Sequence, residues 1–158
     1  MFEQMRRSKQ ELSAVEVERI LKTASSGVLS VIDEQNYPYA VPLSFVYCDG
    51  IIYFHSAKTG HKISAIKNCP RASFCAVDRD DVVPEKYTTL YKSVIAFGKA
   101  SIVDGEEKLY AIKRLGDKYY PRHDDELELA VARSKDAFAI IKLEIEHVTG
   151  KQARELSE

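Results

Sequence analysis

The chain has 158 residues, enough to bury a core without disulfides or structural metals. Its formal net charge of −1 excludes a global positive field that would recruit nucleic acid or an anionic membrane. No apolar run approaches the roughly 20 residues that span a bilayer, and the opening MFEQMRRSKQELS lacks the apolar stretch of a signal peptide. One cytoplasmic domain over residues 1–158 is therefore expected, with no membrane and no nucleic-acid partner. Its three cysteines, Cys48, Cys69 and Cys75, form no C-x-x-C pair and read as free, mainly structural thiols.

Residues 1–12 are polar and charged and read as an N-terminal arm. Ser13 with Glu16 makes a capping box ahead of an apolar stripe of Val15, Val17, Ile20, Leu21 and Ala24, which predicts a helix over Ala14–Thr23. Gly27 stops it, and Val28–Ile32 is a short β-branched run followed by the turn-rich Asp33–Asn36. Tyr39–Cys48 alternates as one strand. Asp49-Gly50 then forms a hairpin to a strand over Ile51–Ala57, with Ile52, Phe54 and Ser56 on one face and Ile51, Tyr53, His55 and Ala57 on the other. Pro42 lacks a ladder donor, so it marks an edge, a bulge or a backbone facing something other than a strand. Ile63, Ala65 and Ile66 then fall at helical spacing, and Pro70 ends that segment.

Arg71–Asp78 is a further strand and Arg79–Tyr87 a polar loop. Leu90–Asp104 is a long strand with a bulge or bend at Gly98. Asp104 caps a helix whose apolar positions are Leu109, Ile112 and Leu115 and whose stop is Gly116. A second helix is expected over Asp124–Ser134 and a final strand over Ala137–Val148. Six strands, mostly hairpin-linked, with helices at the periphery, argue for a small closed or split antiparallel barrel.

The polar turn Lys58-Thr59-Gly60-His61-Lys62 sits between a strand and a helix start. Free helix amides, the helix dipole and nearby cations there suit an anionic group, so the turn reads as a phosphate site; a solvated surface turn is the other reading. It has neither P-loop nor dinucleotide-fold spacing.

The segments VPLSFVYCDGIIYFHSAKTGHKISAIKNCPRASF, MRRSKQELS, KSVIAFGKASIV, KYYP and IEHVTGK together resemble the FMN-binding split barrels related to pyridoxamine 5′-phosphate oxidase, in particular the nitroimidazole-resistance (Nim-type) branch. The resemblance implies a mainly β, six-stranded antiparallel split barrel that forms a homodimer with cofactor at the subunit interface. The cofactor it implies is FMN, in preference to FAD, haem or a deazaflavin. Val41, Pro42, Leu43 and Ser44 would line the flavin ring, His55, Ser56 and Ala57 would continue along it, and Gly60, His61 and Lys62 would hold the phosphate. Ser93 and Val94 would approach from the partner subunit. The oxidase's Trp- and Arg-containing end is missing, for the chain has no tryptophan.

No Ser-His-Asp order, paired carboxylates or H-E-x-x-H site is visible, and no catalytic residue is assigned. His55 fits either the pocket or the barrel wall, His123 a polar loop, and His147 a structural place; Tyr119 and Tyr120 read as packing residues. Two functions follow. One is an FMN-dependent oxidoreductase of the flavin reductase or nitroreductase kind, serving a small electron acceptor, with nitroaromatic compounds as the candidate class. The other is a non-catalytic flavin- or haem-binding module.

Overall fold

The computed structural model describes residues 2–121 and 137–157. Its elements run α1 (Ala14–Thr23), β1 (Gly27–Ile32), β2 (Pro38–Leu43), β3 (Phe45–Cys48), β4 (Ile51–Ala57), α2 (His61–Asn68), β5 (Arg71–Val83), β6 (Thr88–Val103), α3 (Gly105–Tyr119) and β7 (Phe138–Gln152). The strands form one antiparallel sheet in the order β2-β1-β5-β6-β7-β4-β3. Its outermost strands, β2 and β3, are neighbours in sequence, parted only by Ser44. The sheet therefore curls until one residue joins its two edges, with no ladder between them. This is a split barrel.

That break corrects the strand count from six to seven. Tyr39–Cys48 is not one strand paired with β4: Pro38–Leu43 pairs with β1 and only Phe45–Cys48 pairs with β4. Pro42 is accommodated because β2 is an edge strand with a ladder on one side only. The last turn of α3 clamps the break. The Phe45 N–H donates to the Tyr119 hydroxyl at 2.9 Å, and that hydroxyl lies 2.7 Å from the Ser25 carbonyl. Lys118 Nζ donates to the carbonyls of Ala24 and Phe45 at 2.7 and 2.9 Å and sits 3.9 Å from the Phe45 ring centroid. Burial pushes the Lys118 ammonium down to about 8.

For this clamp α3 must run through Gly116 to Tyr119, past the expected stop. Gly116 is not among the residues with positive φ, so it makes no left-handed cap. The inward face of α3 is also shifted: Lys108, Ala111 and Leu115 are buried, whereas Leu109 is 46% exposed. Lys108 is satisfied by the Phe138 carbonyl, 2.8 Å from its Nζ, and by the Phe138 ring.

The alternation of each strand divides two cores. Leu29, Phe45, Ile52, Phe54, Phe74, Val94, Ile141 and Leu143 point into the barrel with Ile20 and Leu21 of α1 and Ile63 and Ile66 of α2. Val46, Tyr53, Phe138 and Ile140 point outward and are covered by Ala111 and Leu115 of α3. The predicted bounds of α1 are those observed, and Ser13 accepts the Glu16 N–H at 3.3 Å. Glu16 does not complete the capping box. Its carboxylate goes to Arg19 and Lys92, which hold it down at about 2, and Val15 lies outside the apolar stripe, 79% exposed.

Asp49 and Gly50 both have positive φ, the geometry of the expected two-residue hairpin between β3 and β4. Gly98 marks the expected bulge, where the β6–β7 register shifts and a Cβ would stand 1.9 Å from the Glu144 carbonyl oxygen. The stretch expected as a loop over Arg79–Tyr87 is instead mostly strand. Val82 and Val83 pair with Thr89 and Thr88, extending the hairpin before a single 3-10 turn at Pro84–Lys86. β-branched residues facing one another keep this polar stretch in the ladder. The expected helix over Asp124–Ser134 and His123 lie outside the described residues. Among those described, no helix is long and apolar enough to cross a membrane.

Candidate functional site

β4 delivers the chain into the Lys58–Gly60 turn, and α2 starts at once. Gly60 has φ +122°, and an added Cβ would meet nothing within 4 Å, so the turn is open on that side. The Gly60 carbonyl accepts the N–H groups of Ile63 and Ser64 at 3.0 and 3.1 Å. The amides of His61 and Lys62, in the first turn, have no acceptor within the helix. Lys62 is half-buried and has no carboxylate partner among the described residues. Gly60 and Lys62 thus leave an exposed helix start that can receive an anionic group.

His61 is oriented otherwise. Its ring stacks on Tyr39 of β2, with centroids 4.4 Å apart, and its Nε2 lies 3.3 Å from Asp33 Oδ2. Asp33 is itself fixed, because its Oδ1 accepts the N–H groups of Gln35 and Tyr37 at 2.9 and 2.8 Å. The imidazole therefore ties the start of α2 to the β1–β2 turn. The small cavity beside it, about 190 Å³ between Asp33, Glu34, Gln35, His61, Ser64 and Ala65, carries two carboxylates and is a poor place for a phosphate. The sequence does not mark Asp33 or Tyr39 as site residues: Asp33 opens the turn-rich run at 33–36, and Tyr39 reads as a strand position.

The Tyr39–His61 stack brings the β2 segment beside α2. Pro42 and Ser44 are exposed at that sheet edge, while Val41 and Leu43 are half-buried and pack against the barrel core. On β4, His55 and Ala57 are exposed, His55 lying against Phe138 with centroids 5.0 Å apart. Partial desolvation of the ring where it lies against its neighbours lowers the His55 pKa. Ser56 faces the barrel instead, 4% exposed, and its hydroxyl donates to the Ala57 carbonyl at 3.0 Å.

Ser93 and Val94 are not brought to this group within one chain. They lie on β6, separated from β2 by β1 and β5 and from β4 by β7. Val94 is fully buried in the barrel, so its side chain faces its own core. Ser93 points to the opposite face, which also presents Val77, Ile95 and Phe97, 56%, 41% and 38% exposed. His147 shares that face, where it stacks on Phe2 at 4.7 Å.

The sequence profile described as pyridoxamine 5′-phosphate oxidase matches residues 13–152. No curated protein sequence matches the chain at a significant level. Among solved structures, a candidate 5-nitroimidazole antibiotic resistance protein of Bacteroides thetaiotaomicron is similar over 90% of this chain and 86% of its own, with TM-score 0.78 and 22% identity. A conserved hypothetical protein of Mycobacterium tuberculosis is similar over 98% of this chain and 94% of its own, with TM-score 0.83 and 19% identity. A FAD- and haem-binding protein of Mycobacterium smegmatis is similar over 92% of this chain and 74% of its own, with TM-score 0.79 and 17% identity. At these identities the likeness is one of fold.

Proposed function

Because the chain belongs to the pyridoxamine 5′-phosphate oxidase family, we propose that it is a homodimeric flavoprotein that binds FMN and passes electrons to a small acceptor of the nitroaromatic class. The observation that carries this reading is the open start of α2, where Gly60, two first-turn amides and Lys62 are free to hold one phosphate. A single short cradle suits the monophosphate of FMN better than the diphosphate of FAD. His61 contributes by fixing the helix start through Asp33, and Lys62 supplies the positive charge.

The sheet edge at Pro42–Ser44 and the outer face of His55 and Ala57 would border the ring. The apolar strip of Val77, Ile95 and Phe97 calls for cover by a second copy, and Ser93 shares its face, so the same contact would present Ser93 to the partner's site. Bound flavin supplies hydride and single-electron chemistry; the residues named here supply position, charge and access. The vitamin oxidase reaction is not part of the proposal, since the chain has no tryptophan for that enzyme's substrate segment. The nitroaromatic class follows the Bacteroides neighbour, and the FAD- and haem-binding neighbour supports a carrier role as the second reading.

The test begins with purified protein, its absorbance, its release of FMN on denaturation and its mass in solution. Anaerobic reduction followed by a nitroimidazole then separates enzyme from carrier: reoxidation of the flavin supports turnover. A colourless monomer that does not take up added FMN would overturn the proposal.

A further inference from the structure

Away from α2, a second cavity of about 740 Å³ lies between the N-terminal arm and the end of the chain, lined by Arg6, Arg7, Ser8, Lys9, Gln10, Arg154 and Ser157. Four of those seven residues are cationic and, among the described residues, no carboxylate lines the cavity, in a chain whose carboxylates outnumber its lysines and arginines. Arg19, Lys22, Lys92, Arg114 and Lys142 each hold a carboxylate. Among the described residues Arg6, Arg7 and Lys9 hold none. Arg6, Arg7 and Lys9, gathered without counter-charge among the described residues, repel one another, a cost that an anionic ligand removes.

The wall of this cavity is built rather than draped. Gln10 is 6% exposed and Leu12 8%. The arm turns through a 3-10 turn at Ser8–Gln10, bridges Glu11 to Lys151, and donates the Leu12 N–H to the Gly150 carbonyl at 2.9 Å. On the far side the Ala153 N–H reaches the Tyr91 carbonyl at 2.9 Å. The cavity is thus fastened to the ends of β6 and β7, whereas the proposed flavin phosphate site lies at the start of α2. Its volume falls within the range of small-molecule sites and well above that of a lone phosphate. Guanidinium forks recognise phosphoryl oxygens bidentately, and several together suit a group with more than two negative charges.

We infer that this cavity is a second anion site, separate from the flavin phosphate site, that takes the diphosphate group of a small molecule. Calorimetry with inorganic pyrophosphate and with ADP, on FMN-saturated protein at about physiological salt, tests it. Pyrophosphate should bind once per chain. The Arg6→Ala/Arg7→Ala double variant should weaken it by at least about tenfold, Lys9→Gln by less, and Lys22→Ala by less than about twofold. Lys62→Ala should leave pyrophosphate binding intact. ADP binding more tightly than pyrophosphate would point to a nucleotide, and equal affinity to the diphosphate group alone; either supports the site. Buried Leu12 and backbone bonds hold the arm, so the arginine variants keep the fold, which their melting temperatures check.

Three results would overturn the inference: no pyrophosphate binding at about 10 mM, far above any useful affinity; a double variant indistinguishable from wild type; or displacement of FMN by pyrophosphate together with loss of binding in Lys62→Ala. If the protein takes up no FMN at all, the same titration on the protein as purified still decides this site, so the two proposals fail separately.

Discussion

Replacing Tyr119 by Phe removes one hydroxyl from the place where the barrel changes edges. That oxygen accepts the Phe45 N–H at 2.9 Å, and Phe45 is fully buried, so no water can take its place without opening the core. The Phe45 carbonyl keeps Lys118 as a donor, and the Ser25 carbonyl lies at an exposed contact where solvent can replace the hydroxyl. The cost therefore falls on one orphaned backbone donor, about 1–3 kcal/mol. For a chain of this size that lowers the melting temperature by about 3–10 °C. Thermal unfolding followed by circular dichroism measures it, with Tyr120→Phe as the control because Tyr120 is 67% exposed. A Tyr119→Phe melting temperature within about 1 °C of wild type would refute the claim that α3 clamps the Ser44 break.

Lys62→Ala should weaken FMN binding by about 1.5–3 kcal/mol, the worth of a charge-assisted hydrogen bond; an unchanged dissociation constant by fluorescence titration would remove Lys62 from the phosphate site. Gly98→Ala should destabilise by about 3 kcal/mol in urea, the upper end of the usual cost of overpacking, since the new Cβ meets the Glu144 backbone on the partner strand rather than a movable side chain. Lys118, held at about 8 in the folded chain against 10.5 as its ordinary value, gives a pH signature. Between those values the unfolded chain binds more protons, so its contribution raises stability as pH climbs from about 8 to 10.5 and is flat below. Lys118→Met should remove that rise in a series of melting temperatures, and an identical slope in both proteins would count against it.

Local signals were read where a single element carries them. The Ser13 cap and the stripe of Val17, Ile20 and Leu21 set α1 to its observed bounds, and Asp49-Gly50 set the β3–β4 hairpin. Gly98 announced a bulge because only a residue without Cβ tolerates the approach of Glu144. Hairpin-linked strands likewise marked an antiparallel barrel, closed or split, and the break in alternation at Lys58–Lys62 marked a strand-turn-helix; resemblance to a family narrowed the barrel to a split one. The orientation of His61 could not be read that way. Its partner Asp33 lies 28 positions earlier, and an imidazole beside a lysine in sequence carries no sign of which neighbour it will choose.

The sequence by itself determined which stretches alternate as strands, which carry a helical stripe, and where glycine must turn or bulge the chain, because those depend on residues within a few positions. Only the tertiary structure decided that Tyr39–Cys48 splits at Ser44 to supply both edges of the sheet. The same holds for Arg79–Val83 joining a ladder, for α3 running on to plant Tyr119 on Phe45, and for Arg6 and Arg7 meeting Arg154 across one cavity. Each depends on a partner far away along the chain, and the free energy of such a contact belongs to the pair rather than to either segment.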